Sequence, residues 1–162
     1  NWGYCAGDHC YKSSRMVIRN LVECVSKNGN LLLNVGPNAK GEIPEESLTI
    51  LKDIGAWMKE NSASIYGCGI SELPKPEWGR YTQNGNKLYA HVFEECVNAI
   101  CVDLPPERVA SIRLLKDGSQ ILPFTYWTVK AYPNRTFFAF GKNKKPFPLP
   151  DETDTVVELT LK

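Results

Sequence analysis

The chain has 162 residues, 43% of them hydrophobic and 23% charged, with a formal net charge of +1. That length holds one medium domain or two small ones sharing an interface, and it falls short of the ~250 residues of a complete (β/α)8 barrel. Acidic and basic residues are interspersed, so no nucleic-acid arm and no basic membrane patch is expected, and no apolar run is long enough to span a bilayer.

Taken in chain order, the first element is a helix that begins after Ser13 or Ser14, either a good N-cap. Val17, Ile18, Leu21, Val22 and Val25 recur at the three-to-four spacing of one apolar face. Lys27-Asn28-Gly29 stops it, placing a cation and residues tolerant of the left-handed region at the helix C-terminus. Residues 31–35, Leu-Leu-Leu-Asn-Val, form an apolar run expected of a strand covered on both faces, ended by Gly36-Pro37. A second helix starts near Pro44-Glu45-Glu46, with proline suiting the first turn and the acids suiting the positive end of the helix dipole. Its expected buried stripe is Ile50, Leu51, Ile54, Trp57 and Met58. Helix, buried strand and helix cannot close a sheet; a strand of that kind needs parallel neighbours.

Near residue 70 the composition changes to period-two alternation broken by Pro, Gly and Asn. Asn84-Gly85 between residues 80–82 and 87–93 is a strong hairpin signal. Further strands are expected over residues 99–102, 109–115, 124–129, 136–140 and 155–161. In the last, Val157, Leu159 and Leu161 alternate with Glu158, Thr160 and Lys162. Turn signals such as Asp117-Gly118 separate these strands at the spacing of an antiparallel sandwich. The run Lys142-Asn143-Lys144-Lys145 sits among prolines and reads as a solvated loop.

Six cysteines allow three disulfides of undetermined connectivity. Their spacing is irregular, no CxxC occurs, and Cys5, His9 and Cys10 lack a fourth ligand at zinc-like spacing. Neither a metal site nor a cofactor is expected, and free, partly buried thiols are the preferred reading. The chain lacks an initiator Met and a visible signal peptide, which reads as a mature chain or one cut from something longer.

The sequence Asn1-Trp2-Gly3-Tyr4, followed by residues 25–37 (VSKNGNLLLNVGP), Gly41-Glu42-Ile43-Pro44, Ile54-Gly55-Ala56-Trp57 and Ser64-Ile65-Tyr66-Gly67, closely resembles the α-L-fucosidases of glycoside hydrolase family 29. The likeness is looser beyond residue 78, at Tyr81-Thr82-Gln83, Leu88-Tyr89-Ala90, residues 114–118 and residues 154–157. It implies a fold of α/β plus all-β class. Residues 1–70 would be the final β/α units of a (β/α)8-like catalytic barrel, with residues 31–35 as the closing strand. Residues 71–162 would be a C-terminal antiparallel β-sandwich.

The resemblance also implies a reaction, the hydrolysis of terminal α-L-fucosyl linkages of glycans with retention. That chemistry needs two carboxyl groups ~5–5.5 Å apart, a nucleophile and a general acid/base. In the family both lie upstream of the Trp-Gly-Tyr segment, as do the histidines that hold the sugar hydroxyls. No residue here inherits a catalytic role, and the isolated chain is expected to be inactive. The partners implied are a fucosylated glycan and the missing N-terminal portion of the barrel; the family is often secreted, periplasmic or lysosomal.

One substrate-binding residue carries over. Trp2 stands where the family places an aromatic on the fucose ring near its C6 methyl, an apolar corner that an indole face can cover. Tyr4 reads as structural and Trp57 as core. Asp8 and His9 read as a surface loop near the barrel mouth, and Asn34 and Pro37 as residues ending a strand on the catalytic face. Glu45 and Glu46 fit helix N-terminal charges better than a catalytic pair. Asn134-Arg135-Thr136 matches a glycosylation acceptor, a motif frequent by chance. For Trp78, Tyr81, Tyr89, Tyr126 and Trp127, core filling is preferred over a carbohydrate platform. The alternative for the whole chain is a non-catalytic carbohydrate-binding or structural sandwich module, although residues 1–70 have no purpose outside a barrel.

Overall fold

A computed structural model describes residues 3–97, 99–141 and 148–162; Trp2 and the run 142–145 lie outside the described residues, as does the side chain of Trp127. Helix α1 spans Ser14–Val25 and is capped by Ser13, whose hydroxyl oxygen accepts from the Met16 amide at 3.2 Å. Val17, Ile18, Val22 and Val25 form its buried face, as their spacing predicts. At its end Asn28 adopts φ +59° and the Gly29 amide donates to the Cys24 carbonyl at 2.7 Å. The Asn28 side chain accepts from the Ile70 amide at 2.6 Å, tying the helix end to the start of the sheet region.

Helix α2 spans Glu45–Asn61, with Pro44 at the N-cap position and both acids in the first turn. Its expected stripe divides. Trp57 is buried, and Ile54 and Met58 pack beside it, whereas Ile50 and Leu51 face a cleft. A short 3-10 turn, Ser62–Ser64, follows.

Residues 31–35 depart from expectation. They join no strand, and Leu32 is 95% exposed. A segment buried on both faces needs a neighbour along each edge, and the described residues offer none.

The second half forms β1 (Gly79–Asn84), β2 (Lys87–Val92), β3 (Ile100–Val102), β4 (Val109–Leu114), β5 (Thr136–Phe138) and β6 (Thr155–Leu161). The hairpin between β1 and β2 pairs Asn84 with Lys87, so its tip is Gly85-Asn86, one residue later than expected, with Gly85 at φ +56°. One antiparallel sheet has the order β1-β2-β6-β4, and β3 pairs with β5 in a second. Residues 124–129 are not the strand their composition suggests. Only Pro123 bridges to Phe138, and the backbone then turns into a 3-10 segment, Trp127–Ala131.

Alternation along β2 and β6 creates two cores. Leu88, Ala90, Val92, Val157, Leu159 and Leu161 point inward between the sheets and meet Ile100, Val102 and Phe138. Tyr89 and Val156 point the other way, onto Ile18, Val22 and Trp57 of the helices. The larger sheet is therefore the middle layer, helices on one side and β3–β5 on the other. Arg19 fastens the helical layer, donating to the carbonyls of Phe93 at 2.8 Å and Thr153 at 3.0 Å, with its guanidinium 4.6 Å from the Phe93 ring centre. Glu23 pairs with both Lys27 and Arg80.

Candidate functional site

The loop of residues 3–12 folds back over residues 33–36 and the start of α2. Local hydrogen bonds shape it: the Asp8 amide donates to the Cys5 carbonyl at 3.0 Å, and Asp8 Oδ1 accepts from the Cys10 amide at 3.0 Å. Gly36 makes the crossing possible. A Cβ there would collide with the Tyr4 amide nitrogen and stand 2.6 Å from the Gly3 carbonyl carbon, so only glycine lets the two backbones meet.

Between these segments lies an open cleft of about 190 Å³, lined by Tyr4, Asp8, Tyr11 and Asn34 together with Ile50 and Leu51. Although Tyr11 is exposed, desolvation and then the neighbouring Glu46, Tyr4 and Asp8 raise its phenol above its ordinary value. Asp8 is the single carboxylate among the described lining residues. One carboxylate cannot serve as both nucleophile and general acid.

The structure gathers some of the sequence candidates here and disperses others. Tyr4, Asp8 and Asn34 line the cleft, while His9 and Pro37 do not; Trp2 lies outside the described residues. Glu45 and Glu46 are exposed first-turn residues of α2. Trp57, Trp78, Tyr81 and Tyr89 are buried core; Tyr126 is half-buried. Asn134 is exposed, and the Thr136 hydroxyl donates to the Leu104 carbonyl at 2.7 Å. All six cysteines are free thiols, and among the described residues no group of three or more His, Cys, Asp or Glu side chains is arranged to hold a metal.

Sequence reasoning missed a buried polar chain. Nδ1 of His91 lies 2.7 Å from Asp154 Oδ2, and Nε2 lies 3.1 Å from the Thr82 hydroxyl. That hydroxyl donates to the Ser64 carbonyl at 2.6 Å, so it accepts from His91 and Nε2 carries a proton. The order hydroxyl, imidazole, carboxylate imitates a hydrolytic triad. It is not one, because the threonine proton is committed to a carbonyl and all three side chains are buried. Residues nine and sixty-three positions apart give no sequence signal of such a chain; only the β1–β2–β6 register assembles it.

A family model described as Alpha-L-fucosidase matches residues 1–63. The Alpha-L-fucosidase of Dictyostelium discoideum is 40% identical over 88 residues, which are 52% of this chain and 19% of that protein. Among solved structures, Alpha-L-fucosidase isoenzyme 1 from Paenibacillus thiaminolyticus superposes with a TM-score of 0.93 at 53% identity, over 99% of this chain and 37% of that one. A family 29 α-L-fucosidase from Bacteroides thetaiotaomicron, trapped as a covalent intermediate with 2-fluoro-fucosyl fluoride, superposes at 0.81 with 28% identity, over 99% of this chain and 36% of that one. The chain thus spans little more than a third of these structures, and its match to the Dictyostelium protein is shorter still.

Proposed function

We propose that this chain, a member of the α-L-fucosidases of glycoside hydrolase family 29, supplies the end of the catalytic barrel and the following sandwich of a retaining α-L-fucosidase. The carrying observation is the superposition on the Paenibacillus enzyme, which takes in 99% of this chain but 37% of that one. Residues 1–70 are then the final β/α units, and 71–162 the sandwich.

This reading gives the bare segment 31–35 a purpose. Its open edges and the 95% exposed Leu32 are suited to parallel strands contributed by the rest of the barrel. The cleft beside it opens where barrel-strand ends and their loops form active sites. Trp2, one residue from the Gly3–Gly36 crossing, covers the apolar C6 corner of fucose, and the two carboxylates of double displacement come from the preceding barrel segment. The substrate is a terminal α-L-fucosyl unit on a glycan.

The test is an assay of the purified 162-residue chain against an aryl α-L-fucoside, beside the same chain joined to its upstream barrel. The isolated chain is expected to match the buffer blank and the joined enzyme to turn over. Turnover by the isolated chain, abolished by a substitution within residues 1–162, would refute the assignment.

A further inference from the structure

The inward residues of β3 and β5, Ile100, Val102 and Phe138, belong to the core between the sheets, so Cys101 and Phe137 point outward. Pro123 bridges to Phe138 and the Phe124 amide donates to the Phe137 carbonyl at 2.8 Å. Phe124 therefore extends the outward row beyond Phe137. Two more rings adjoin the row: Tyr126 lies 6.0 Å from Phe124 and Tyr132 lies 6.3 Å from Phe137, centre to centre. None of these four rings is buried, and Tyr132 is 51% exposed. At their edge Arg135 stands 5.6 Å over the Tyr132 ring and donates through Nε to Asp103 at 3.2 Å, both charged groups being about half exposed.

We propose that this outer face of the β3–β5 sheet is a saccharide-binding surface, separate from the fucoside cleft, that takes a neutral pyranose of the glycan. A pyranose presents C–H groups on one face and hydroxyls around its rim. Tilted aromatic rings match the first, and an exposed Arg–Asp pair, one donor and one acceptor, matches adjacent hydroxyls. A wholly apolar partner would leave that charged pair desolvated. Position argues against the remainder of the barrel as occupant, since the helices lie across the four-stranded sheet from this face, and residues 33–35 line a cleft with α2. The choice of saccharide rests on the fucosidase reading.

The probe is N-acetyllactosamine, which contains no fucose, so binding is measured independently of fucoside hydrolysis. The 162-residue chain is titrated and followed by saturation-transfer and amide-shift NMR. We expect transfer to one face of a pyranose and amide shifts at residues 101–103, 124, 132 and 134–137. Tyr132→Ala should weaken binding by about fivefold without a change in folded-state spectrum elsewhere. Asp103→Asn, at an exposed rim position that cannot unfold the sheet, should weaken it as well. No transfer at millimolar sugar, or binding indifferent to both variants, overturns the proposal. So does a doubled mass by light scattering that Tyr132→Ala abolishes, which would make the face a contact between copies. Inactivity toward fucosides leaves the proposal standing, and failure to bind the disaccharide leaves the fucosidase reading standing.

Discussion

His91 and Asp154 meet at 2.7 Å with both side chains fully buried, and their contact joins the end of β2 to the residue that leads into β6. Burial raises the Asp154 carboxyl, and His91 beside it counters that rise. Through Thr82 the pair reaches the Ser64 carbonyl, and the Trp57 indole lies 3.5 Å from the Asp154 carbonyl. The chain therefore stitches three strands of the larger sheet to the helical layer.

Removing one partner should be costly, because it leaves a buried imidazole nitrogen without its hydrogen-bond partner. Asp154→Ala is expected to lower unfolding stability by about 3 kcal/mol. Thr82→Val should cost about 1–2 kcal/mol, since it strands His91 Nε2–H and the Ser64 carbonyl. Urea unfolding followed at Trp57 and by far-ultraviolet dichroism measures both. A single coincident transition moving with each variant fits a stitch between layers; loss of the helical signal alone would not.

Gly36 offers a local test of the cleft. Gly36→Ala places a methyl group into the Gly3–Tyr4 backbone, so the loop of residues 3–12 must lift while the two cores are untouched. Limited proteolysis should cut within residues 3–12 several times faster than in the parent chain. Melting temperature should change little. In the complete enzyme the same substitution is expected to reduce fucoside kcat/KM by about tenfold or more, as misplacement near a reacting group commonly does.

Acid sensitivity should trace to Glu158. Burial pushes this carboxyl up, but hydrogen bonds from Lys87 and Arg113 outweigh it and hold the group below its ordinary value. A depressed carboxyl binds fewer protons in the folded state. Its contribution is thus present above the unfolded value of ~4.3 and lost as pH falls through the folded one. Glu158→Gln should cost about 1–2 kcal/mol at neutral pH and progressively less below pH ~4. Equal losses at pH 7 and pH 3 would assign Glu158 to packing.

Much of this molecule could be read from local pattern. The Ser13 cap, the 17-18-22-25 face of α1 and the alternation of Val157, Leu159 and Leu161 each express a period that short-range physics sets. What failed depended on partners far away in the chain or beyond it. Residues 31–35 have the composition of a covered strand yet pair with nothing described. Residues 124–129 have strand-forming side chains, yet the bridge to β5 is made by Pro123 just before them. The composition break near residue 70 likewise hides a packing interface, because Tyr89 and Val156 serve the helical core. No local pattern announces the cleft, because nothing in the sequence signals that the Gly36 backbone must pass within contact of Gly3 and Tyr4.

Trp2 is tested in the complete enzyme. If its indole covers the C6 corner of fucose, Trp2→Ala removes a contact worth ~1.5–3 kcal/mol at most, hence about one to two decades in fucoside kcat/KM. The loss should be selective. An α-L-galactoside carries a hydroxyl at C6 that an indole face matches poorly, so the same variant should lose less against it. Trp2→Phe, with a smaller aromatic face, should fall between. The measurement is kcat/KM for both sugars across the parent, Phe and Ala enzymes, with melting temperatures alongside. Equal losses for the two sugars with a lowered melting temperature would identify Trp2 as core packing. An unchanged fucoside kcat/KM in the Ala variant would remove it from the pocket, because no apolar contact of that size can vanish without altering the ratio of transition-state to free-enzyme energies.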